Sequence, residues 1–496
     1  MRHGRRDFFL KKIIGIILAL MIVCLAATAC GGEKSNQSNT DANNGEQGEG
    51  IVLSGDFGGA EFRILTAGNG EPCNDFDFDE EASSTLDAAQ YKRVLTVESA
   101  FNVDIVEEIK KGYSSASSGK PGPGFTLLNT QVASGTPNYD LCLIASYDVS
   151  QLATIGYLYD MNSVPGINLS NTWWDQNAID ALGVRDVVFF TTGEITVSDN
   201  NCAYAIMFNK KLADDYQIED PYELVNNGQW TIEKFTELAK KVSEDLNQDG
   251  VYDGNDRYGL LVWDDSITGI INAAGQRCCT VNDEGKLELT LYNETTLDAL
   301  NQYTELAYDN QYALQYQRLN NSGPGKQWWQ NNQGLFFTAL VGEMPSYREM
   351  ENDFGILPYP KLTEVQEKHY TTISPFNSQF ICIPVVNSDI KRTGALTEAL
   401  GYYGEKDITP ALYDVTLKGQ SARDSESSEM LDIIFDNLIY DIGYYYQVGP
   451  YNKQLIIYLR ERNNAWASMY ETYANAAQST LDTINKAYDS AVALWK

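Results

Sequence analysis

Histidine is almost missing from this chain: of 496 residues only His3 and His369 carry an imidazole. His3 sits in a stretch expected to be cut away, so a multi-histidine metal site is excluded and a Ser-His-Asp triad has one base to draw on. That base, His369, lies in Glu367-Lys368-His369-Tyr370, which reads as a solvated loop. Most hydrolytic chemistry loses its base here, although a glycosidase working with two carboxylates needs no histidine. Positive charge is also scarce, with 36 Lys and Arg against 68 Asp and Glu and a formal charge of −32. Such a chain has no patch for a phosphate backbone, so nucleic acid is excluded as a partner and a neutral or cationic ligand is favoured over an anionic one. Besides Cys24 and Cys30, the cysteines are Cys73, Cys142, Cys202, Cys278, Cys279 and Cys382, with no C-x-x-C spacing for zinc or redox chemistry. Cys142 and Cys382 stand in apolar runs and read as buried thiols.

Apolar runs long enough for a membrane are limited to the N-terminus. Arg2, Arg5, Arg6, Lys11 and Lys12 precede an apolar stretch from Ile13 to Ala29, which closes in Ala27-Thr28-Ala29 before Cys30 and two glycines. Small residues ending on a cysteine are what a lipidating signal peptidase requires, so residues 1–29 are expected to be a lipoprotein signal peptide, with Cys30 the lipidation site. The polar Ser/Asn/Gly/Glu stretch from Lys34 to Gly50 lacks the apolar residues to pack a core, and residues 30–54 are read as a flexible tether. The protein is thereby expected on the extracellular face of the cell membrane, lipid-anchored. Cleavage would remove five basic residues and Asp7, a net +4, leaving −36.

About 445 residues remain, more than one hydrophobic core usually serves, which points to two lobes. Strand and helix signals alternate along them. Phe62–Thr66 is a short β-rich run; Asp87–Phe101 carries Tyr91, Val94, Leu95 and Phe101 on one helical face; Asn102–Val106 alternates again. Tyr139–Ala145 is an unbroken apolar run, as suits a parallel strand covered on both faces. Thr231 is a good N-cap for a helix with Phe235, Leu238, Ala239, Val242 and Leu246 at helical spacing. Met430, Ile433, Ile434 and Leu438 form a later face, and Leu481, Ile484, Tyr488, Val492 and Trp495 the last one. The fold class is α/β, finishing in helices.

Five pieces, taken in order, resemble the extracellular solute-binding proteins of ABC importers, family 1, the sugar-binding type. They are a first strand and helix from Phe62, Tyr139–Asp148 followed by Leu152–Leu158, Ala205–Leu212, Gly228–Phe235 and Phe354–Lys361. The resemblance implies a two-lobed periplasmic-binding-protein type II fold with a hinge, ligand held between the lobes, and closure by hinge bending. Chain crossings are expected near Thr196–Ile206, Phe354–Lys361 and Gly404–Tyr413. Lobe I would then be 55–200 with 358–410, and lobe II 201–357 with 411–496. The implied role is capture of a carbohydrate, of oligosaccharide length, by a monomer that delivers it to an ABC permease without covalent chemistry.

Asp245–Asp256 reads D-L-N-Q-D-G-V-Y-D-G-N-D. Side-chain oxygens stand at loop positions 1, 3, 5, 9 and 12 (Asp245, Asn247, Asp249, Asp253, Asp256), glycine at 6, and the Val251 carbonyl at 7, a spacing that suits a structural Ca²⁺. The departure is an Asp at position 12, where a bidentate Glu is usual. An Asp/Asn/Gly-rich surface turn is the other reading.

Sugars need flat rings for their C–H faces and acceptors for their hydroxyls. Tyr147 and Asp148 follow the buried strand at its carboxyl end, where open α/β sheets bind ligands, and Trp263 and Asp264, in Trp263-Asp264-Asp265, follow strand Tyr258–Val262 in the same way. Glu343, Tyr347 and Arg348 lie in the segment leading to the second crossing. These seven are the expected ligand residues, whereas Trp173-Trp174 and Trp328-Trp329 read as core. The rival readings are a secreted carbohydrate-active enzyme, an adhesin using the acidic loop, and a binding protein for a cationic ligand such as a polyamine or peptide, the last favoured by the charge.

Overall fold

A computed structural model describes residues 51–69, 73–78, 84–112, 120–319, 324–413 and 424–495. The signal peptide, Cys30 and all but the end of the tether lie outside them.

The chain is a two-lobed α/β protein built on two main sheets. The first contains β1 (Ala60–Asn69), β2 (Val103–Gly112), β3 (Leu141–Ala145) and β13 (Gln379–Cys382) in the order β13-β3-β1-β2. β1 runs parallel to β2 and β3, while β13 returns antiparallel and sets Cys382 opposite Cys142. β3 is buried at all five residues, which explains its unbroken apolar run. Both of those cysteines are buried free thiols, as expected.

The second sheet has the order β11-β4-β10-β6-β5, with β9 also pairing β6. Its members are β4 (Tyr204–Asn209), β5 (Ser243–Glu244), β6 (Arg257–Val262), β9 (Ala313–Gln315), β10 (Gly334–Leu340) and β11 (Phe354–Leu357). β6 is parallel to β9 and β10, and β4 is antiparallel to both β10 and β11. Four short strands lie outside these sheets. The hairpin β7–β8 joins Cys279–Val281 to Leu287–Leu289, and β12 (Thr371–Thr372) pairs β14 (Leu438–Ile439). Every strand of the first sheet falls in residues 60–145 or 379–382, and every strand of the second in 204–357.

Helix α1 (Thr85–Phe101) starts where Ser84 Oγ accepts from Asp87 N at 3.0 Å, and stops at Asn102, whose φ of 50° is left-handed. Its buried face is not the expected one: Leu95 is 41% exposed, and Arg93 is inside with Val94, Val97 and Phe101. The reason is electrostatic. The Arg93 guanidinium donates to the carbonyls of Ile195 and Asp75, both at 2.6 Å, and lies 4.7 Å over the Phe76 ring, so its two terminal nitrogens are partnered and its stem packs as an apolar side chain.

Helix α2 spans Pro123–Ser134 and α3 spans Ser146–Thr154. Thr231 caps α4 (Ile232–Ala239) by accepting from Lys234 N, but α4 ends at Ala239 and never reaches Leu246, which is exposed. Ser243 and Glu244 pair with β6 instead, so sheet hydrogen bonding overrides the helical periodicity beyond Val242.

Four more helices bear on the site: α5 (Ser266–Ala273), α6 (Ser425–Asp436), α7 (Tyr451–Glu461) and α8 (Trp466–Trp495). α8 buries Leu481, Ile484 and Tyr488, the face read from the sequence. Its side chains reach segments far apart in the chain. Asn485 brackets Leu287 by accepting from its N–H (2.8 Å) and donating to its carbonyl (2.9 Å), while Tyr488 and Trp495 pack on Phe189 and Tyr159 with ring centroids 4.9 and 4.8 Å apart.

Trp173, Trp174 and Trp329 are core residues, as read, and Trp328 is half-buried. The indole N–H groups of Trp173 and Trp174 both donate to Glu398, at 2.6 and 3.1 Å. His369 is not in a solvated loop. It is 7% exposed, with Nδ1 3.1 Å from the Tyr359 carbonyl, and burial lowers its pKa to about 4, so the ring is neutral. Its loop is drawn inward by Lys361, whose Nζ donates to the carbonyls of Glu364 (3.2 Å) and Gln366 (2.8 Å). Among the described residues no helix is long and apolar enough to cross a membrane.

Candidate ligand-binding site

Strand direction decides which side chains meet. β6, β9, β10 and β11 run the same way, so their carboxyl ends share one edge of the second sheet, and β4, running against them, brings its first residue to that edge. Trp263-Asp264-Asp265 follows β6, Tyr316 follows β9, Glu343 follows β10, Tyr359 follows β11, and Tyr204 begins β4. The ring of Tyr204 has its centroid 5.1 Å from that of Trp263 and 6.0 Å from that of Tyr359. This packing depends on Gly269 in α5, because a Cβ there would meet Tyr359 Cε1 at 2.6 Å and Tyr204 Cδ2 at 2.9 Å.

The turn after β6 is held by its backbone. Trp263 N donates to Thr338 Oγ1 at 3.0 Å and Asp264 N to Gln317 Oε1 at 2.7 Å. The two carboxylates that follow differ. Asp264 is buried and paired through Oδ2 with Arg460 Nε, while among the described residues its Oδ1 has no partner. Asp265 is half-buried, and no described residue donates a hydrogen bond or an ion pair to its carboxylate. Burial, and then the neighbouring Asp264 charge, raise the Asp265 pKa to about 7 against the opposing pull of Arg460. Burial first, and the Asp265 charge with it, also push up the phenols of Tyr147, Tyr204, Tyr316 and Tyr359. Tyr147 comes from the carboxyl end of β3, so one carboxylate is within electrostatic reach of both sheets.

The expected residues are thus divided. Trp263 and Asp264 stand at this edge, and Tyr147 lies within electrostatic reach of it. Tyr147 is buried with its hydroxyl accepting from Asn452 Nδ2 at 2.9 Å, and the Asn452 Oδ1 has no partner. Asp148 is a correction: it is fully buried, and its two oxygens accept from Gly122 N (2.9 Å) and Phe125 N (3.0 Å), so it caps α2 and has nothing left for a ligand. Tyr347 is also corrected, being 1% exposed and packed on Phe337 and Phe354 with its hydroxyl 3.2 Å from Glu343 Oε2. Glu343 is half-buried with Lys326 Nζ at 3.4 Å, and Arg348 is exposed just past this segment. Sequence reading missed Asp265, Tyr204, Tyr316, Tyr359 and Asn452. The usable signal was that each of the first four directly precedes, begins or follows a strand at the edge where Trp263 lies.

In the Asp245–Asp256 loop the carboxylates turn to the loop's own backbone. Gly250 N, at a φ of 78°, donates to Asp245 Oδ2 (2.8 Å), Asp249 N to Asn247 Oδ1 (3.1 Å), Val251 N to Asp249 Oδ1 (2.8 Å) and Asn255 N to Asp253 Oδ1 (2.8 Å). Asp256 is fully buried and accepts from Leu246 N (3.0 Å) and Asp253 N (2.8 Å). Asp245 Oδ1 has no partner. Among the described residues no group of three or more His, Cys, Asp or Glu is placed to hold a metal ion.

Residues 111–360 match the family model described as bacterial extracellular solute-binding protein. Solved structures share the fold at low identity. An ABC substrate-binding protein from Listeria monocytogenes in complex with cycloalternan is 15% identical with a TM-score of 0.53, over 87% of this chain and 99% of that one. A cyclic α-maltosyl-1,6-maltose binding protein from Arthrobacter globiformis is 13% identical with a TM-score of 0.53, over 88% and 99%. A sugar transporter from Rhizobium etli in an open conformation is 13% identical with a TM-score of 0.54, over 86% and 98%. No curated protein matches the chain.

An unpartnered carboxylate whose folded pKa lies above its unfolded value contributes best when protonated. Its stabilising effect is complete below about pH 4 and is lost as the pH rises through about 7. Asp265→Asn is therefore expected to raise the stability of the ligand-free protein by about 2 kcal/mol at pH 8 and by little at pH 4.5. Urea melts of both proteins at the two pH values test this, and equal stability at pH 8 would count against an unpaired charge at Asp265.

Proposed function

Since the chain belongs to the family of bacterial extracellular solute-binding proteins, we propose that it captures a carbohydrate of oligosaccharide length and passes it to an ABC permease. The observation that carries this reading is the group at the carboxyl-end edge of the second sheet. There Tyr204 packs between Trp263 and Tyr359, with Tyr316 and Tyr147 within electrostatic reach of Asp265, and among the described residues the Asp265 carboxylate, Asp264 Oδ1 and the Tyr359 hydroxyl have no hydrogen-bond partner. Rings cover the C–H faces of a pyranose, and carboxylates accept from its hydroxyls. One protein of the same fold is in complex with cycloalternan and another is a cyclic α-maltosyl-1,6-maltose binding protein, which supports the ligand class.

The division of strands between the sheets supports lobe I as 55–200 with 358–410 and lobe II as 201–357 with 411–496, closing on the ligand by hinge bending. The ligand is released unchanged: Asp264 is held by Arg460, which suits binding more than the paired acid and nucleophile of a glycosidase. The protein works as a monomer on the outer face of the cell membrane, tethered through a lipidated Cys30. For the Asp245–Asp256 loop a structural Ca²⁺ is retained as a proposal on the strength of the unpartnered Asp245 Oδ1 and the Gly250 turn.

A thermal-shift screen of the mature protein against mono- and oligosaccharides, polyamines and amino acids tests the ligand class. A saccharide at 100 times its dissociation constant is expected to add about 2.7 kcal/mol. Trp263→Ala should weaken that saccharide at least about tenfold, as measured by calorimetry, by removing the stacking face. A shift with polyamines alone would overturn the carbohydrate reading. Cys30→Ser should move the protein from the membrane fraction to the medium, and retention in the membrane would refute lipid anchoring. EDTA should lower the melting temperature of the mature protein and Ca²⁺ restore it; no change would leave the loop as the self-closed turn its hydrogen bonds describe.

A further inference from the structure

Charge at the carboxyl-end edge of the second sheet is unbalanced. Arg460 is taken up by Asp264 and Lys326 by Glu343, so among the described residues no cation pairs with Asp265. The remaining wall is made of rings, with Tyr204 packed between Trp263 and Tyr359, and the face of an aromatic ring attracts positive charge. Two further acceptors stand in the same group with nothing to accept from. Asp264 Oδ1 belongs to a residue 4% exposed and the Tyr359 hydroxyl to one 1% exposed.

Closure over a ligand expels the water that still reaches Asp265. A lone carboxylate in a drying, ring-lined site is costly unless it acquires a proton or a cation. The hydroxyls of a neutral sugar donate hydrogen bonds and leave the charge in place, whereas an ammonium cancels it and donates three. We propose that the captured saccharide bears a protonated amine, and that the amine seats against Asp265 among Trp263, Tyr204 and Tyr359, with Asp264 Oδ1 and the Tyr359 hydroxyl taking further donors. The inference rests on the carbohydrate reading above and narrows it to amino sugars. In the ligand-free protein a proton on Asp265, held with a pKa of about 7, stands in for the missing cation.

Calorimetry at pH 7 with matched pairs differing only in the amine is the test. Glucosamine, galactosamine and mannosamine are compared with glucose, galactose and mannose, and β-1,4 glucosamine oligomers with cellodextrins and with the N-acetylated oligomers. The amine-bearing member of the pair that binds is expected to bind at least about tenfold tighter than its neutral counterpart, the gain of one charge-assisted contact. In Asp265→Asn the two should differ by less than about twofold, the charge having gone while the rings remain. Equal affinity within every pair for the wild-type protein would overturn the amine inference and leave saccharide capture standing, and this comparison does not depend on the variant folding. A preference that survives in Asp265→Asn would overturn the seat at Asp265. No binding by any saccharide would instead bring down the carbohydrate reading itself.

Discussion

Asp265, a carboxylate that pairs with no cation among the described residues and lies near aromatic rings at the carboxyl ends of parallel strands, is the constraint on which the proposed site turns. Asp265 is half-buried. Its neighbour Asp264 has taken the nearby guanidinium, and a buried oxygen of Asp264 and the Tyr359 hydroxyl have also been left without donors. Polar atoms buried without partners are uncommon in folded proteins, because each forgoes its hydration. Two of them, Asp264 Oδ1 and the Tyr359 hydroxyl, fall in one group of aromatic rings, and the proposed saccharide site draws on them.

Backbone direction makes that group. Parallel strands deliver their carboxyl ends to one edge, and in the second sheet this collects residues from positions 204 to 359 within ring-stacking distance. The turn after β6 is pinned by Thr338 and Gln317 from two other segments, so Trp263 and the two aspartates are placed by side chains distant in sequence. Tyr147 arrives from the first sheet by the same rule, at the end of β3. α8 ties together segments as far apart as Tyr159, Phe189 and Leu287.

Much of this was legible in the residues. The unbroken apolar run before Tyr147, the N-cap at Thr231 and the apolar stripe of the last helix each became the element they promised, because local hydrogen bonding and burial there agree. Where local and tertiary demands differ, tertiary contacts prevailed. Arg93 displaced Leu95 from the buried face of α1 because two carbonyls and a ring receive its charge. α4 stopped short of Leu246 because β6 offered Ser243 and Glu244 a sheet partner. His369 went inside because Lys361 gathers its loop. Asp148 sits at the right end of the right strand, yet the N-terminus of α2 lies against it and takes both oxygens.

From sequence alone came the alternation of strand and helix, the scarcity of imidazole and of positive charge, the acidic loop, and the rule that ligand residues follow strand ends. These are properties of neighbours along the chain, which spacing and side-chain type reveal. Only the tertiary structure could show which of Asp264 and Asp265 is paired with Arg460, or bring Tyr204 between Trp263 and Tyr359. Whether a carboxylate is free depends on which cation reaches it, and Arg460 comes to Asp264 from a helix almost two hundred residues further along the chain.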